Sequence, residues 1–318
     1  MYYPQHTMGS SRLGSQSRLL TPATFATPQT TKLSKSTGVY DRDFQQHLVD
    51  NSIYPPGYWT PGGSAPAQPD NWEQFQQILA QPRPSLAPSQ FSDKDFREFR
   101  ERSFYARKEK QVSEHIIPII EGKTRDAGNR AGGIPFTNLD PLTDGTLKSG
   151  NPDIYYGARP EQLSQKVRND PNLRGRIIPS TQRDLPLVPN SFLAVKGPSG
   201  SIEVAKRQAC YDGALGARGM HNLRSYGRAE PVYDNNAYTI TSTYHDGNLK
   251  MYTSHVAPPR EPGGHPEYYM HQLDGWCMDG NPETFRRGAT AYRNGRDWAK
   301  EQRDEAIRQA NERVNSRY

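Results

Sequence analysis

The sequence has few apolar residues and little cysteine. Only 33% of its 318 residues are hydrophobic, whereas 27 are glycine and 27 are proline. A composition this polar predicts that part of the chain lies outside any packed core, because such segments bury too little apolar surface to offset chain entropy. The two cysteines, Cys210 and Cys277, are too few for a disulfide framework and lack the spacing of a zinc site, so we expect a reducing compartment.

Long apolar runs are also missing. No stretch is long enough to span a bilayer, and no apolar segment follows the N-terminus as the core of a signal peptide. We therefore expect an intracellular protein, nuclear or cytoplasmic, without a membrane partner. Acidic residues are absent before Asp41. The Ser/Thr-rich start of the chain contains Pro22 and Pro28 and no amphipathic stripe, which favours a disordered tail over a transit peptide.

Positive charge is in modest excess, with a formal net charge of +6. An excess of this size permits an anionic partner such as nucleic acid, and it is also common in proteins that bind none. Residues 281–318 predict a long helix or a broken pair of helices with one arginine-rich side. We interpret that side as either a solvated helix face or a nucleic-acid contact surface. Its arginines include Arg286, Arg293, Arg303, Arg308 and Arg313.

The chain divides by composition at about residue 90. Residues 1–89 are rich in Pro, Gln, Ser, Thr and Gly, which predicts a disordered low-complexity tail that offers a protein partner a place to bind. Within it, the segment around Trp72 has helical spacing and could form a short docking helix. Residues 90–318 predict one folded α/β domain in which strands and helices are mixed.

Local patterns predict the elements of that domain. Ser92 and Asp95 form a capping-box pattern at the start of a long amphipathic helix, which Pro118 should end or bend. The stretches "RIIPS" and "SFLAVKG" are short apolar runs bounded by turn formers, and both predict buried strands. A helix should follow the second of them. The alternating residues 237–256 predict a β-hairpin.

Two charged residues lie at the ends of predicted strands, a common position for catalytic and binding side chains. Asp153 begins the strand-like stretch in "NPDIYYG", and Lys196 ends "SFLAVKG". Each also has a plainer interpretation. An aspartate after a proline is commonly a turn former, and a lysine can extend from a strand end into solvent.

The order of these residues resembles that of the PD-(D/E)XK phosphodiesterase superfamily: an acidic residue, a strand-borne lysine about forty residues later, and then a helix with a Gln and a Tyr. The stretches "KGPSGS", "VAKRQACYDGALGAR" and "FRRGATAYRNGRDWAKEQRDEAI" are similar to those of a group of fungal proteins assigned to a PD-(D/E)XK nuclease-like domain. The similarity covers about Phe91 to Asn311. It implies a restriction-endonuclease-like mixed central sheet flanked by helices, nucleic acid as the partner and Mg²⁺ as the cofactor.

The resemblance also implies a role for each matching residue. Asp153 takes the position of the family's metal-binding aspartate, and Lys196 that of the lysine that orients and helps deprotonate the attacking water. Glu109, in "RKEKQVSEHIIP", falls where the group carries a glutamate that can add to the metal shell. Gln208 and Tyr211, in "RQACY", resemble the glutamine and tyrosine of the helix after the lysine strand.

The sequence departs from the family at the centre of the motif. Where the group has an acidic residue two positions before the lysine, this chain has Ala194, which cannot ligate a metal. One hypothesis is that Glu203, in the next helix, supplies a displaced carboxylate and metal ligand, so that the chain is an Mg²⁺-dependent nuclease. Another is that the site is degenerate, leaving a non-catalytic pseudonuclease or effector that binds nucleic acid or protein. A function that never involved hydrolysis also stays open.

Overall fold

The computed structural model describes residues 36–60, 62–123 and 127–316. Its strands are β1 (Ile53–Tyr54), β2 (Arg130–Ala131), β3 (Ile154–Ala158), β4 (Leu187–Lys196), β5 (Ala237–His245), β6 (Asn248–Ala257) and β7 (Glu267–Cys277). They form a seven-stranded sheet in the order β1-β7-β6-β5-β4-β3-β2. The β4 and β5 strands are parallel, as are β1 and β7, and the other pairs are antiparallel, so the predicted mixed sheet is confirmed.

Nine α-helices occur in the described ranges and flank this sheet, which confirms the predicted α/β class. They are α1 (Phe44–Asp50), α2 (Trp72–Ala80), α3 (Asp93–Tyr105), α4 (Glu109–His115), α5 (Ile117–Glu121), α6 (Gln165–Asn169), α7 (Pro171–Ile177), α8 (Ile202–Ser225) and α9 (Pro282–Asn315). None of them combines the length and the apolar character needed to cross a bilayer.

The two long helices lie against different faces of the sheet. Along β4, Leu193 and Val195 pack in the hydrophobic cluster that contains residues of α9, whereas Phe192 packs in the cluster that contains residues of α8. Successive strand residues point to opposite faces, so Ala194 and Lys196 share the α8 face with Phe192. Every residue of β4 is buried. The strand that ends in the lysine is therefore covered on both faces.

The predicted hairpin is confirmed, and the strand that follows it was missed, as were the two-residue strands β1 and β2. β5 and β6 pair in antiparallel register around Asp246 and Gly247, whose φ angles of 45° and 75° are those of a tight hairpin turn. β7 pairs with β6 along its length. Sequence reasoning assigned no element there, because residues 267–277 lack a turn signal as clear as the one that marks the hairpin.

Two predictions of local structure were wrong. The "RIIPS" stretch is not a strand: Ile177 ends α7 and is buried with Leu173, one helical turn earlier. Its buried apolar residue Ile177 packs on the inner side of a helix and not in the sheet. The predicted long helix after Ser92 is divided into α3, α4 and α5. The capping box of Ser92 and Asp95 is present. Pro118 lies in the first turn of α5, where a proline is well tolerated.

The structure also corrects the boundary at residue 90. One compact unit comprises Lys35–Tyr318. Phe44, Leu48 and Phe75 are buried, and β1 pairs with β7. Well-spaced apolar residues in a polar segment can each fill a site on a neighbouring element, so the low average hydrophobicity of residues 36–89 was misleading. The predictions for residues 1–35, a disordered tail without a signal peptide, lie outside the described residues.

The arginine-rich side of α9 is mostly a packing surface. Arg303 is 1% exposed and donates to Asn190 Oδ1 at 2.5 Å. Arg293 is also buried and donates to the carbonyl oxygens of Ile119 and Ile120, at 2.8 and 2.9 Å. For these two arginines, both interpretations of the sequence were wrong. These buried guanidinium groups attach α9 to α5 and to the side chain of Asn190 in β4.

Candidate functional site

Asp153 and Lys196 meet because their strands pair. Asp153 directly precedes β3, and β3 lies antiparallel to β4 with Ile154 opposite Leu193. The Oδ2 atom of Asp153 accepts the backbone N–H of Val195 at 2.7 Å and lies 3.6 Å from Lys196 Nζ. The aspartate thus contacts the strand that carries the lysine, as the sequence predicted for residues of one site.

Glu109 approaches the same lysine from another direction. It is the first residue of α4, and its Oε2 atom lies 3.3 Å from Lys196 Nζ. This approach requires a glycine after the lysine, because a Cβ on Gly197 would lie 2.7 Å from the backbone nitrogen of Glu109. The Lys196 side chain is only 5% exposed. A buried ammonium is therefore shared by two carboxylates, the pairing that makes burial of a charge tolerable.

Two further predicted residues come from α8. Gln208 is buried and donates from Nε2 to the carbonyl oxygen of Asn151 at 3.0 Å, which fixes the loop that leads to Asp153. Tyr211 is buried with its ring perpendicular to that of Phe44, at 5.8 Å between centroids. Burial raises the pKa of Tyr211 to about 12. Gln208 is thus placed to position the acidic loop, while Tyr211 forms part of the wall.

Glu203 does not join this cluster. It forms an ion pair with Lys206 at 2.9 Å, and its side chain is 62% exposed. Glu203 and Asp212 are nine residues apart in one helix, which is about two and a half turns, so they point to opposite sides. The prediction that Glu203 supplies the displaced carboxylate is corrected by this geometry.

Asp212 is the carboxylate that sequence reasoning missed. It lies one turn after Gln208 on α8, is buried, and has an Oδ1 atom without a hydrogen-bond partner among the residues that the structure describes. Burial holds its pKa well above the ordinary value, and the negative charge of Asp153 raises it further, while Lys196 opposes the shift. The spacing of four residues from Gln208 was the available signal.

Electrostatics link the members of the cluster. Burial is the largest effect on Asp153 and raises its pKa, and the nearby Glu109 carboxylate acts in the same direction. The Lys196 ammonium and the Val195 amide act against this shift. Carboxyl groups that share one site raise one another's pKa, which is typical of functional clusters although structural ion pairs can show it too.

These side chains line a cavity of about 460 Å³, which we call the carboxylate cleft. Its other wall comes from the segment 38–44, of which residues 38–41 and Phe44 line the cavity. The sequence predicts a disordered tail for this segment. Arg207 of α8 holds that wall in place by donating to the carbonyl oxygens of Val39 and Asp41, at 3.3 and 3.1 Å. Tyr40 of this wall lines the cleft and remains exposed.

Four exposed cations line the cleft or are sequence neighbours of residues that line it. Lys148 lines it, Arg107 and Lys108 directly precede Glu109, and Arg42 follows the lining residues of the wall. All four are exposed, and none forms an ion pair with a carboxylate in the described part of the chain. Exposed cations without a carboxylate partner are suited to contact phosphate groups.

The carboxylate cleft has the donor chemistry of a Mg²⁺ site but not a preformed one. Glu109, Asp153 and Asp212 offer the hard oxygen ligands that Mg²⁺ prefers, and the orphan Asp212 Oδ1 is a buried acceptor. Nowhere in residues 36–60, 62–123 and 127–316 do three or more His, Cys, Asp or Glu side chains form a group that could hold a metal ion. The Lys196 ammonium lies instead beside Glu109 and Asp153.

Comparisons with protein-family models, with curated proteins and with solved structures found no match. The nuclease-like resemblance therefore stays a prediction. Any functional assignment depends on the residues of the carboxylate cleft.

Proposed function

We propose that this protein is a nuclease-like phosphodiesterase that acts on nucleic acid with Mg²⁺ as its cofactor. The observation that carries the proposal is the meeting of Lys196 with the carboxylates of Glu109, Asp153 and Asp212 in one cleft. Helix α8 packs on the side of the sheet to which Ala194 points. A carboxylate from α8 can therefore replace the carboxylate that β4 lacks at Ala194. Asp212 replaces Glu203 in this proposal.

Each residue has a defined task in the proposed reaction. Glu109, Asp153 and Asp212 would have to move closer together to hold Mg²⁺, because they do not form a metal-binding group as they stand. When bound, Mg²⁺ would supply charge stabilisation to the phosphoryl oxygens. Asp212 must release its proton for this, so cation binding weakens as the pH falls. Lys196 would donate to a phosphate oxygen, where its positive charge offsets the developing negative charge. The attacking water would lose its proton to an ionised carboxylate of the cleft.

The surroundings of the cleft support nucleic acid as the substrate class. Exposed Arg42, Arg107, Lys108 and Lys148 can neutralise phosphates, and the exposed ring of Tyr40 offers a surface on which a base can stack. A nuclear or cytoplasmic location agrees with this substrate and belongs to the same proposal.

A second candidate is a non-catalytic nucleic-acid- or protein-binding pseudonuclease. The observation that favours it is that the Lys196 ammonium already lies beside Glu109 and Asp153, while Asp153 Oδ2 also accepts the Val195 amide. Such a cluster is stable without a metal ion. In this case the fold and its exposed cations bind a partner and no bond is broken.

A cleavage assay distinguishes the two candidates. Single- and double-stranded DNA and RNA are incubated with Mg²⁺ or Mn²⁺ and with the wild type or the variants Lys196→Ala, Asp212→Asn and Ala194→Glu. Glu203→Gln, in the same helix, is the matched control. We expect wild-type cleavage that falls at least about 100-fold in Lys196→Ala and Asp212→Asn and is unchanged in Glu203→Gln.

The other outcomes are equally informative. Cleavage that appears only in Ala194→Glu would show a degenerate site and favour the pseudonuclease. If no variant cleaves but wild-type binding to DNA or RNA weakens with salt, the non-catalytic candidate is supported. Absence of both cleavage and salt-dependent binding contradicts a nucleic-acid function altogether.

A further inference from the structure

A second cavity, of about 590 Å³, lies between α2, the segment 82–88, the end of β7 and the first half of α9. We call it the α2–α9 groove. It shares no lining residue with the carboxylate cleft. Its volume is within the range in which proteins bind small molecules. Nothing in the proposed function uses it.

The lining of the groove is mainly apolar and partly prearranged. Its buried apolar side chains are Leu79, Leu86, Trp276 and Ala291, and the polar Thr290 is buried beside them. Three exposed prolines, Pro82, Pro84 and Pro88, form part of its rim. Proline restricts the backbone, so this wall needs little ordering when a ligand binds. An open apolar groove with a fixed wall favours an apolar ligand.

Two of the three arginines on the lining are committed to other groups. Arg83 donates to Asp297 Oδ2 at 2.8 Å and to Asn294 Oδ1 at 2.9 Å. Arg286 donates to Asp93 Oδ1 at 2.9 Å and to a backbone carbonyl. These arginines are neutralised by carboxylates outside the lining, so their roles are structural.

The third arginine is free. Arg287 is exposed and forms no hydrogen bond or ion pair with any residue in the described ranges. The one carboxylate on the lining, Asp274, accepts the backbone N–H of Gly275 at 2.7 Å and does not pair with Arg287. The groove therefore combines an apolar surface with an uncompensated guanidinium, a group that matches a carboxylate with two parallel hydrogen bonds.

We infer that the α2–α9 groove binds a medium-chain aliphatic carboxylate, with its chain against Trp276 and its carboxylate at Arg287. The apolar lining selects the chain, and the unpaired guanidinium selects the anionic end. This binding is independent of the carboxylate cleft and of its proposed chemistry. An uncharged hydrocarbon or an amine would leave Arg287 without a counter-charge and bind less tightly.

Titration calorimetry of the full chain with hexanoate, octanoate and decanoate tests the inference. Each added methylene should lower Kd about fourfold, because each buries more apolar surface. 1-Octanol and octylamine match octanoate in chain length, and both should bind about tenfold more weakly than octanoate.

Variants locate the site. Arg287→Gln should weaken octanoate about tenfold and leave 1-octanol unchanged, whereas Arg287→Lys retains the preference for the anion. Ala80 is an exposed lining residue, so Ala80→Trp should fill the groove and abolish binding without changing the melting temperature. Asp153→Asn, in the carboxylate cleft, should bind octanoate like the wild type.

Three results would overturn the inference. One is the absence of saturable binding of decanoate at about 10 mM, where a productive apolar site would be filled. Another is equal affinity for octanoate and 1-octanol, which removes the role of Arg287. The third is unchanged binding in a folded Ala80→Trp variant, which places the ligand elsewhere.

Discussion

Gly197 and Glu109 are in backbone contact, since a Cβ added to Gly197 would lie 2.7 Å from the amide nitrogen of Glu109. This contact sets the first residue of α4 beside the end of β4 and allows the Glu109 carboxylate to reach Lys196. The glycine that follows the lysine therefore fixes the distance between two members of the carboxylate cleft. It does so by having no side chain.

Gly197→Ala should damage both stability and the site. The added methyl group must push α4 away from β4, and we expect a loss of about 1–3 kcal/mol in the free energy of unfolding together with weaker cleavage. Urea unfolding and the Mg²⁺-dependent assay measure the two effects. Gly62→Ala is the control, because the nearest atom to its added Cβ lies 3.9 Å away. Equal stability of the two variants would contradict the prediction.

Asp212→Asn should change how stability depends on pH. Burial raises the pKa of Asp212 above its ordinary value of 3.8, so the folded chain keeps a proton that the unfolded chain releases. The neutral carboxyl group therefore contributes its whole stabilising free energy at pH values below the ordinary pKa. This contribution is lost as the pH rises towards the pKa that Asp212 has in the folded chain. Asparagine is neutral at every pH, so the variant does not lose this stabilising contribution.

The free energy of unfolding of Asp212→Asn should therefore rise relative to that of the wild type as the pH rises from about 4, by up to about 1.4 kcal/mol per pH unit. Urea unfolding of both proteins at a series of pH values between about 4 and 8 measures this difference. Parallel curves would show that Asp212 titrates normally in the folded chain.

The sequence was sufficient to predict the residues that local patterns mark. Strand ends can be located from turn formers and apolar runs, and these patterns marked Asp153 and Lys196. Glu109, Gln208 and Tyr211 were candidates only through the family resemblance, and all five residues line one cleft. Their convergence does not test the resemblance that suggested their roles.

The parts that were missed depend on tertiary contacts. Glu203 and Asp212 are both acidic residues of one predicted helix, and only the side of the helix that meets the sheet decides which is buried. Residues 38–44 form a wall of the cleft because Arg207 binds their carbonyl oxygens, which no periodicity reveals. Long-range hydrogen bonds override a composition that favours disorder.

Phe44→Ala should be strongly destabilising although Phe44 lies in the segment predicted to be disordered. Its ring is buried against Tyr211, and removing a buried phenylalanine costs about 3–5 kcal/mol. Phe104→Ala, at a site that is 67% exposed, is the matched control and should change stability by less than about 0.5 kcal/mol. Chemical denaturation of both variants measures the difference. A similar small effect in both would mean that residues 38–44 are not part of the folded body.

Arg303→Ala should destabilise the fold far more than Arg308→Ala. Arg303 is buried and donates to Asn190 Oδ1, so its removal leaves that acceptor without this donor and opens a cavity, at a cost of about 3–5 kcal/mol. Arg308 pairs with Glu305 and Glu312 on the exposed side of the same helix, and such pairs contribute little. Guanidinium chloride unfolding should therefore show a lowered midpoint for Arg303→Ala and an unchanged midpoint for Arg308→Ala. Equal midpoints would restore the interpretation of the arginine-rich side as a solvated face.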